Sequence, residues 1–374
     1  MSNTSKQSFD IAAYFWPAYH DEPRWRPFFD GTEGEWNIIR HAVKKFEGQY
    51  QPREPLWGFE SDSDPLVMER KIDAAAAHGV NVFIFDWYWY DNQPFLEDSI
   101  NDGFLKARNN DKIKFFIMWA NHDSTTGWDV RKPLPATVVY PGAVDRPTFD
   151  TIADRIIDRY FSHPSYYKID GCPVFSIYDL NSLVTGLGGV PQAREALDSF
   201  REKAKKAGFP DLHIQAIQWS AVPFYLQAVT GETKPTQDEV ITALGFDSVT
   251  SYQWIHTLGA GMTYQEWGEG VIAKWDSWRT ERFSVPFYPH VSVGWDSNPR
   301  TVEPRPIVTD GSPERFANFL RITKDYVIKH NLTPRLITIN SWNEWSEGSY
   351  IEPDKKFGMG YLEAVKSVFV DDNK

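Results

Sequence analysis

The sequence predicts an α/β fold, a (β/α)8 barrel with long βα loops. Three observations carry that reading. Eight short runs rich in β-branched and aromatic residues recur along the chain, helix-period segments lie between them, and polar, Trp-rich stretches follow their C-terminal ends. Eight parallel strands is the number that closes such a barrel. The runs cover residues 11–16, 80–88, 113–120, 172–178, 212–219, 246–252, 285–293 and 335–341. An open doubly wound sheet is the rival, and it usually carries a glycine-rich first βα turn. Here the first run ends in Trp16-Pro17-Ala18-Tyr19-His20. The one glycine cluster, Gly186-Leu187-Gly188-Gly189, has Pro191 where a third glycine would stand and follows no strand directly.

The helices have legible boundaries. Asp64 before Pro65 reads as an N-cap with proline at the first helical position, Met68, Ile72, Ala75 and Ala76 form one stripe, and Gly79 is the stop signal. Phe149, Ile152, Ala153, Ile156, Ile157, Tyr160 and Phe161 keep helical spacing for three turns. Trp267, Val271, Ile272, Trp275 and Trp278 do so again, and Phe316, Phe319, Leu320, Thr323 and Val327 supply the last stripe. Such stripes bury a helix against a sheet. The longest connection, residues 19–62, is polar, aromatic and rich in turn residues. Residues 1–8 read as a disordered or tag-like N-terminus, and 9–370 as one barrel domain.

Composition narrows the functional classes. The 374 residues carry a net charge of −12, which argues against a nucleic-acid face or an anionic-lipid face. A lone cysteine, Cys172, leaves no intrachain disulfide framework and no multi-cysteine metal site. Apolar runs fall short of the roughly 18 residues a membrane span needs. The polar first ten residues contain no signal-peptide core, so the expected location is periplasmic or extracellular if a leader has been removed and cytoplasmic otherwise. A monomer is expected. Aromatic residues make up 16% of the chain, with 16 Trp, 17 Tyr and 25 Phe. Their flat apolar faces suit a core and equally suit the faces of sugar rings.

In a barrel of this kind, function sits where the strands end. Reading those ends in order gives Tyr14, Trp16 and His20; Asp86, Trp87, Tyr88, Trp89 and Asp91; Trp119, Asn121, His122 and Asp123. Tyr178 and Asp179 follow, then Trp219, then Gln253, Trp254 and His256, then His290, Trp295 and Asp296. The last end supplies Trp342, Asn343, Glu344, Trp345 and Glu347, with Glu352 just beyond. Seven of the eight ends carry Trp, and indoles interleaved with Asp, Asn and His suit a pyranose. Carbohydrate is therefore the expected partner. The expected substrate-binding set is Tyr14, Trp16, Asp86, Trp87, Tyr88, Trp119, Asn121, His122, Trp254, His290, Trp295, Trp342, Asn343 and Glu352.

The sharpest element is Ser341-Trp342-Asn343-Glu344-Trp345-Ser346-Glu347-Gly348. If the chain turns helically there, the side chains of Glu344 and Glu347 lie about 5–6 Å apart at Cβ. Glycoside cleavage needs one carboxylic acid to protonate the leaving oxygen and one carboxylate to act at the anomeric centre. Packed among tryptophans, such a pair should not ionise twice at neutral pH, since like charge and burial raise one of them. An exposed acidic turn is the bland alternative. There is no His-Glu-x-x-His, and the Asp86, His122–Asp123 and His290 combinations lack metal-ligand spacing. No Gly-x-Ser-x-Gly elbow occurs. No metal and no cofactor are expected.

The stretch Asn343-Glu344-Trp345-Ser346-Glu347-Gly348-Ser349-Tyr350-Ile351-Glu352-Pro353 resembles the terminal motif of glycoside hydrolase family 99-like (WbsX-type) proteins. Gly48-Gln49-Tyr50-Gln51-Pro52-Arg53, Phe85-Asp86-Trp87-Tyr88-Trp89-Tyr90 and Trp119-Ala120-Asn121-His122-Asp123 match the same group in the same order. The resemblance covers residues 9–368, and more distantly it extends to the family 99 endo-α-mannosidases. It implies that Glu344 acts as a base on the substrate's own 2-hydroxyl and Glu347 as the acid/base at the glycosidic oxygen. The activity implied is a retaining, endo-acting glycosidase on a mannose-configured polysaccharide or glycan, working through a 1,2-anhydro sugar. Over residues 86–88 and 119–121 the chain departs from true family 99, which leaves the substrate open. Association of WbsX-type proteins with polysaccharide biosynthesis keeps a glycosyltransferase or transglycosylase role as an alternative, and a non-catalytic carbohydrate-binding protein is the third.

Overall fold

Eight parallel strands line up around a common axis in this computed structural model, which describes residues 8–26, 28, 33–126, 137–218 and 237–371. They are β1 (Asp10–Phe15), β2 (Val82–Tyr90), β3 (Lys114–Trp119), β4 (Cys172–Ile177), β5 (His213–Ile217), β6 (Ser248–Thr250), β7 (His290–Ser292) and β8 (Leu336–Asn340). Every one falls within or across a run expected to be a strand. The hydrogen-bonded order is β6-β5-β4-β3-β2-β1-β8-β7. Ala12 of β1 pairs with Val82 on one side and with Thr338 of the final strand on the other. Between β6 and β7 the ring meets at Val249 and Phe287, where Val249 N donates to Pro286 O (2.9 Å) and Tyr288 N to Val249 O (2.8 Å). The result is a nearly closed barrel. The segment 1–8 lies, Ser8 excepted, outside the described residues, and so does Trp219.

Helices cover the outside, and their ends follow the sequence signals. The Asp64 carboxylate accepts from Leu66 N at 2.8 Å to open α1 (Pro65–Ala77), and Gly79 follows at φ +89°. Asp145 caps α2 (Arg146–Ile156) by accepting from Thr148 N at 3.0 Å. The glycine cluster is a corner between two helices: α3 (Leu180–Leu187) ends at Gly188, φ +88°, and α4 (Val190–Lys206) starts after Gly189. Then come α5 (Gln237–Leu244), α6 (Tyr264–Ile272) with a Thr263–Glu266 capping box, α7 (Pro313–Lys329) and α8 (Gly360–Phe369). Among the described residues no helix is long and apolar enough to cross a membrane.

Strand alternation decides what reaches the barrel mouth. On β2, Asp86 and Tyr88 line the mouth, while Trp87 points outward and gives its Nε1–H to Glu97 (2.9 Å). On β3, Met118 and Ala120 line the mouth, while Trp119 packs on Phe149 of α2, ring centroids 5.9 Å apart.

Candidate active site

After β8 the chain makes a tight hairpin. Asn343 and Glu344 pair antiparallel with Tyr350 and Ser349, and the turn between them is one 3-10 turn, Trp345–Glu347, closed by Gly348 at φ +63°. Ser341 pins it, its Oγ accepting from Glu344 N and donating to Ser349 O, both at 2.7 Å. Glycine suits this position because its backbone is left-handed, and a Cβ there would stand 2.7 Å from Arg53 Nη2 and push that side chain aside. The turn swings Glu344 and Glu347 into a cavity of about 330 Å3 at the strand C-termini.

One guanidinium ties these acids together. Arg300 Nη1 donates to Glu347 Oε1 at 2.7 Å, and Nη2 lies 3.4 Å from Glu344 Oε1. The same group donates from Nε and Nη2 to Glu35 Oε1 at 3.1 and 2.9 Å. Glu35, which is 1% exposed, also accepts from Trp16 Nε1 (2.7 Å), Tyr19 OH (3.2 Å) and Ser346 Oγ (2.8 Å). Glu35 is thus satisfied by fixed donors, and Arg300 is shared among three carboxyl groups with one positive charge.

That shortage of positive charge sets the protonation. Burial lifts Glu344 above the usual carboxyl range, while Arg300 and a hydrogen bond from Tyr252 pull it back. Burial, reinforced by the Glu344 charge, lifts Glu347 well above its ordinary value despite the short Arg300 contact. Like charge in one buried site, with a single guanidinium between them, keeps the two carboxyl groups from ionising together. Asp86 is also raised well above its ordinary value, by burial first and the Glu344 charge second. The imidazoles at the mouth are neutral: burial lowers His122, and lowers His256 to about 3.

The sequence-expected residues divide sharply. Glu344, Glu347, Trp16, Asp86, Tyr88 and His122 line the cavity. Tyr14 lies just beneath it, its ring 4.7 Å from that of Tyr252 and its hydroxyl on Ser251 O. His290 is fully buried below, held by Thr338 Oγ1 (2.9 Å) and Ser292 Oγ (3.0 Å). The expected ring of indoles around the mouth is corrected: Trp87, Trp119, Trp254, Trp342 and Trp345 are core. Trp254 gives Nε1–H to His290 O, and Trp342 packs against Phe83. Asn121 clasps the backbone of Asp179 through its N–H and C=O, and Asn343 clasps Trp16 in the same way. Glu352 is buried under the hairpin, accepting from Trp345 Nε1 (2.9 Å) and pairing with Lys71 (2.7 Å), which also holds Asp62. Trp295 lines a different cavity.

Arg300 and Glu35 escaped the sequence reading. Both sit in loops, after β7 and within residues 19–62, where no periodicity marks a residue as inward. Tyr178, Asp179 and His256, named at the strand ends but outside the expected substrate-binding set, also line the cavity, as does Tyr252 at the end of the sixth run.

A nearly closed α/β barrel with two clustered glutamates in a polar, aromatic mouth is glycoside hydrolase-like. Residues 11–365 match the family described as Glycosyltransferase WbsX, and the chain belongs to that family. WxcX of Xanthomonas campestris pv. campestris, an uncharacterized protein, is 25% identical over 372 residues, spanning 95% of this chain; the chain spans about half, 49%, of WxcX. A glycoprotein endo-α-1,2-mannosidase of Xenopus laevis is 26% identical over 388 residues, covering 95% of this chain and 72% of that protein. Among solved structures, a family 99 endo-α-mannosidase from Bacteroides thetaiotaomicron superposes with a TM-score of 0.56 at 16% identity, covering 98% of both chains. A glycoside hydrolase-like protein gives 0.62 at 16% identity, over 97% of this chain and 94% of the other. These two likenesses are of fold.

Proposed function

We propose that the chain is a retaining glycosidase that cleaves within a mannose-configured glycan, with Glu344 as base and Glu347 as acid/base. The observation that carries this reading is the shared Arg300: two carboxyl groups face one cavity beside one guanidinium, so that one can hold a proton while the other is ionised. In the first step the Glu344 carboxylate takes the proton from the substrate 2-hydroxyl, and O2 attacks C1. The C1–O bond to the leaving group breaks as Glu347 gives its proton to that oxygen. An axial 2-hydroxyl is anti to an axial leaving group, so a 1,2-anhydro sugar can form without an enzyme nucleophile at C1. In the second step water attacks C1 and gives its proton to Glu347. The C1–O2 bond opens, and Glu344 returns the proton to O2. Two inversions give net retention.

The test is turnover on a panel of glycans scored for released reducing ends. Glu344→Gln and Glu347→Gln should each lower kcat by about 10²–10⁴-fold, and NMR of the first-formed anomer should show retention. Unchanged turnover in either variant removes that residue from its role, and an inverted product ends the anhydro-sugar route.

Glycosyl transfer is the second reading, favoured by the family's own description. It would use the same carboxyl groups with an acceptor hydroxyl in place of water. Against a nucleotide-sugar donor, the one arginine or lysine among the described cavity residues is Arg300, already engaged by three carboxyl groups rather than open to a diphosphate. Nucleotide release on incubation with nucleotide sugars and acceptor would establish transfer.

A further inference from the structure

A second cavity, of about 530 Å3, lies on the far side of the Glu347–Gly348 turn. Its wall is built from the Gly48–Arg53 segment, whose residues divide their duties. Gln49 and Gln51 turn inward and donate to the Asp296 carboxylate at 3.0–3.1 Å, where Asn298 Nδ2 also donates at 2.8 Å. Tyr50 and Arg53 face the cavity instead, opposite Trp295, Lys356 and Phe357, with Gly348 between. The rings of Tyr50, Trp295 and Phe357 are only partly covered, unlike the indoles of the barrel mouth. Cations of the protein lie over Tyr50 and Phe357, and the Trp295 ring offers the flat face on which a pyranose can stack.

Charge makes the site more particular. Lys356 Nζ lies over the rings of Tyr50 (4.6 Å) and Phe357 (4.7 Å) and forms no ion pair with a described carboxylate. Arg53 lies over the rings of Tyr50 (5.1 Å) and Tyr350 (5.6 Å), its polar contacts are long, 3.6 Å to the already satisfied Asp296 and 3.4 Å to Tyr350 OH, and its buried Nε has no hydrogen-bond partner. Of the other charges at the rim, Arg315 is held by Asp310 at 3.7 Å, and Glu47 stands exposed. A partly exposed indole beside Lys356 and Arg53 matches a sugar bearing a carboxylate.

The geometry points to a second carbohydrate site, separate from the Glu344–Glu347 cavity, that binds a hexuronic acid unit of a glycan against Trp295 with its carboxylate at Lys356 and Arg53. This rests on the carbohydrate reading of the chain but not on hydrolysis, because it is read as binding rather than turnover.

The experiment titrates the full chain carrying Glu347→Gln with two probes of equal length, a mannuronate hexasaccharide and neutral mannohexaose, by calorimetry. The acidic probe should bind the tighter of the two, and Lys356→Glu should weaken it by about fivefold to tenfold while leaving mannohexaose unchanged. Trp295→Ala should weaken it as well. Equal affinity for the two probes overturns the acidic specificity. Binding of the acidic probe that neither Lys356→Glu nor Trp295→Ala reduces overturns the location, and no binding of the acidic probe overturns the site. If the hydrolase reading fails, Glu347→Gln leaves turnover intact, a result independent of all of these.

Discussion

Asp86 and Glu344 share one hydroxyl: Tyr252 OH stands 2.8 Å from Asp86 Oδ2 and 2.8 Å from Glu344 Oε2. A phenol has one proton to give, so both contacts are hydrogen bonds only if one carboxyl group carries a proton of its own. Asp86 is the better candidate, since its other oxygen, Oδ1, is buried without a partner and its pKa is raised well above the ordinary value. Asp86→Asn preserves an uncharged group of the same shape, so turnover should stay within about tenfold of the parent. A loss of about 10³-fold would show that Asp86 works as an anion.

Tyr252→Phe should act through Glu344. The lost hydrogen bond is one of the contacts that hold the Glu344 pKa down, so that pKa rises further. A base must be ionised, and the acid limb of the kcat/KM profile should therefore move to higher pH. Turnover at neutral pH should fall by about tenfold to a hundredfold. A profile with an unmoved acid limb contradicts the assignment of Glu344 as base.

Ionised Glu347 should cost stability. Its pKa is raised in the folded chain, so the stability lent by the protonated form is complete below the ordinary glutamate pKa and is lost as pH rises through the raised value. Gln cannot ionise. The Tm of Glu347→Gln should therefore exceed that of the parent at pH 8, by roughly 1–2 °C for each 1 kcal/mol gained, and the two should converge below about pH 4.

Removing Arg300 should expose the opposite balance. Arg300→Met leaves Glu35, Glu344 and Glu347 buried together with no cation, a change expected to cost about 3–5 kcal/mol in urea unfolding. A variant as stable as the parent would show that Arg300 is not what holds the three acids together.

Glu352 separates a scaffold from a substrate contact. It supports Trp345 and Lys71 beneath the hairpin, so Glu352→Gln should lower stability by about 1–3 kcal/mol while KM stays unchanged. A raised KM with intact stability would return Glu352 to the substrate.

The fold was legible in the sequence because its signals are local. Eight runs, the Asp64-Pro65 cap and the Gly79 stop each depend on a few neighbouring residues, and each reappears in the structure. Glu344 and Glu347 were legible for the same reason, being carried by one turn. The indoles misled because residue type does not reveal parity: Trp87 and Trp119 sit at strand ends, but on the outward face, where they pack beneath connecting segments and helices. Arg300 and Glu35 meet across 265 residues of chain, and neither local pattern nor spacing could pair them.

The first strand finds one of its two neighbours only in the last, through Ala12 and Thr338. During synthesis, a chain emerging N-terminus first must therefore keep β1 half-paired until the final stave has left the ribosome. Glu35, made early, likewise waits for Arg300 before its ion pair can form. The Glu35–Arg300–Glu344–Glu347 cluster is thus assembled late, as the ring is completed, and a truncated nascent product would carry the early loops without their partners in charge.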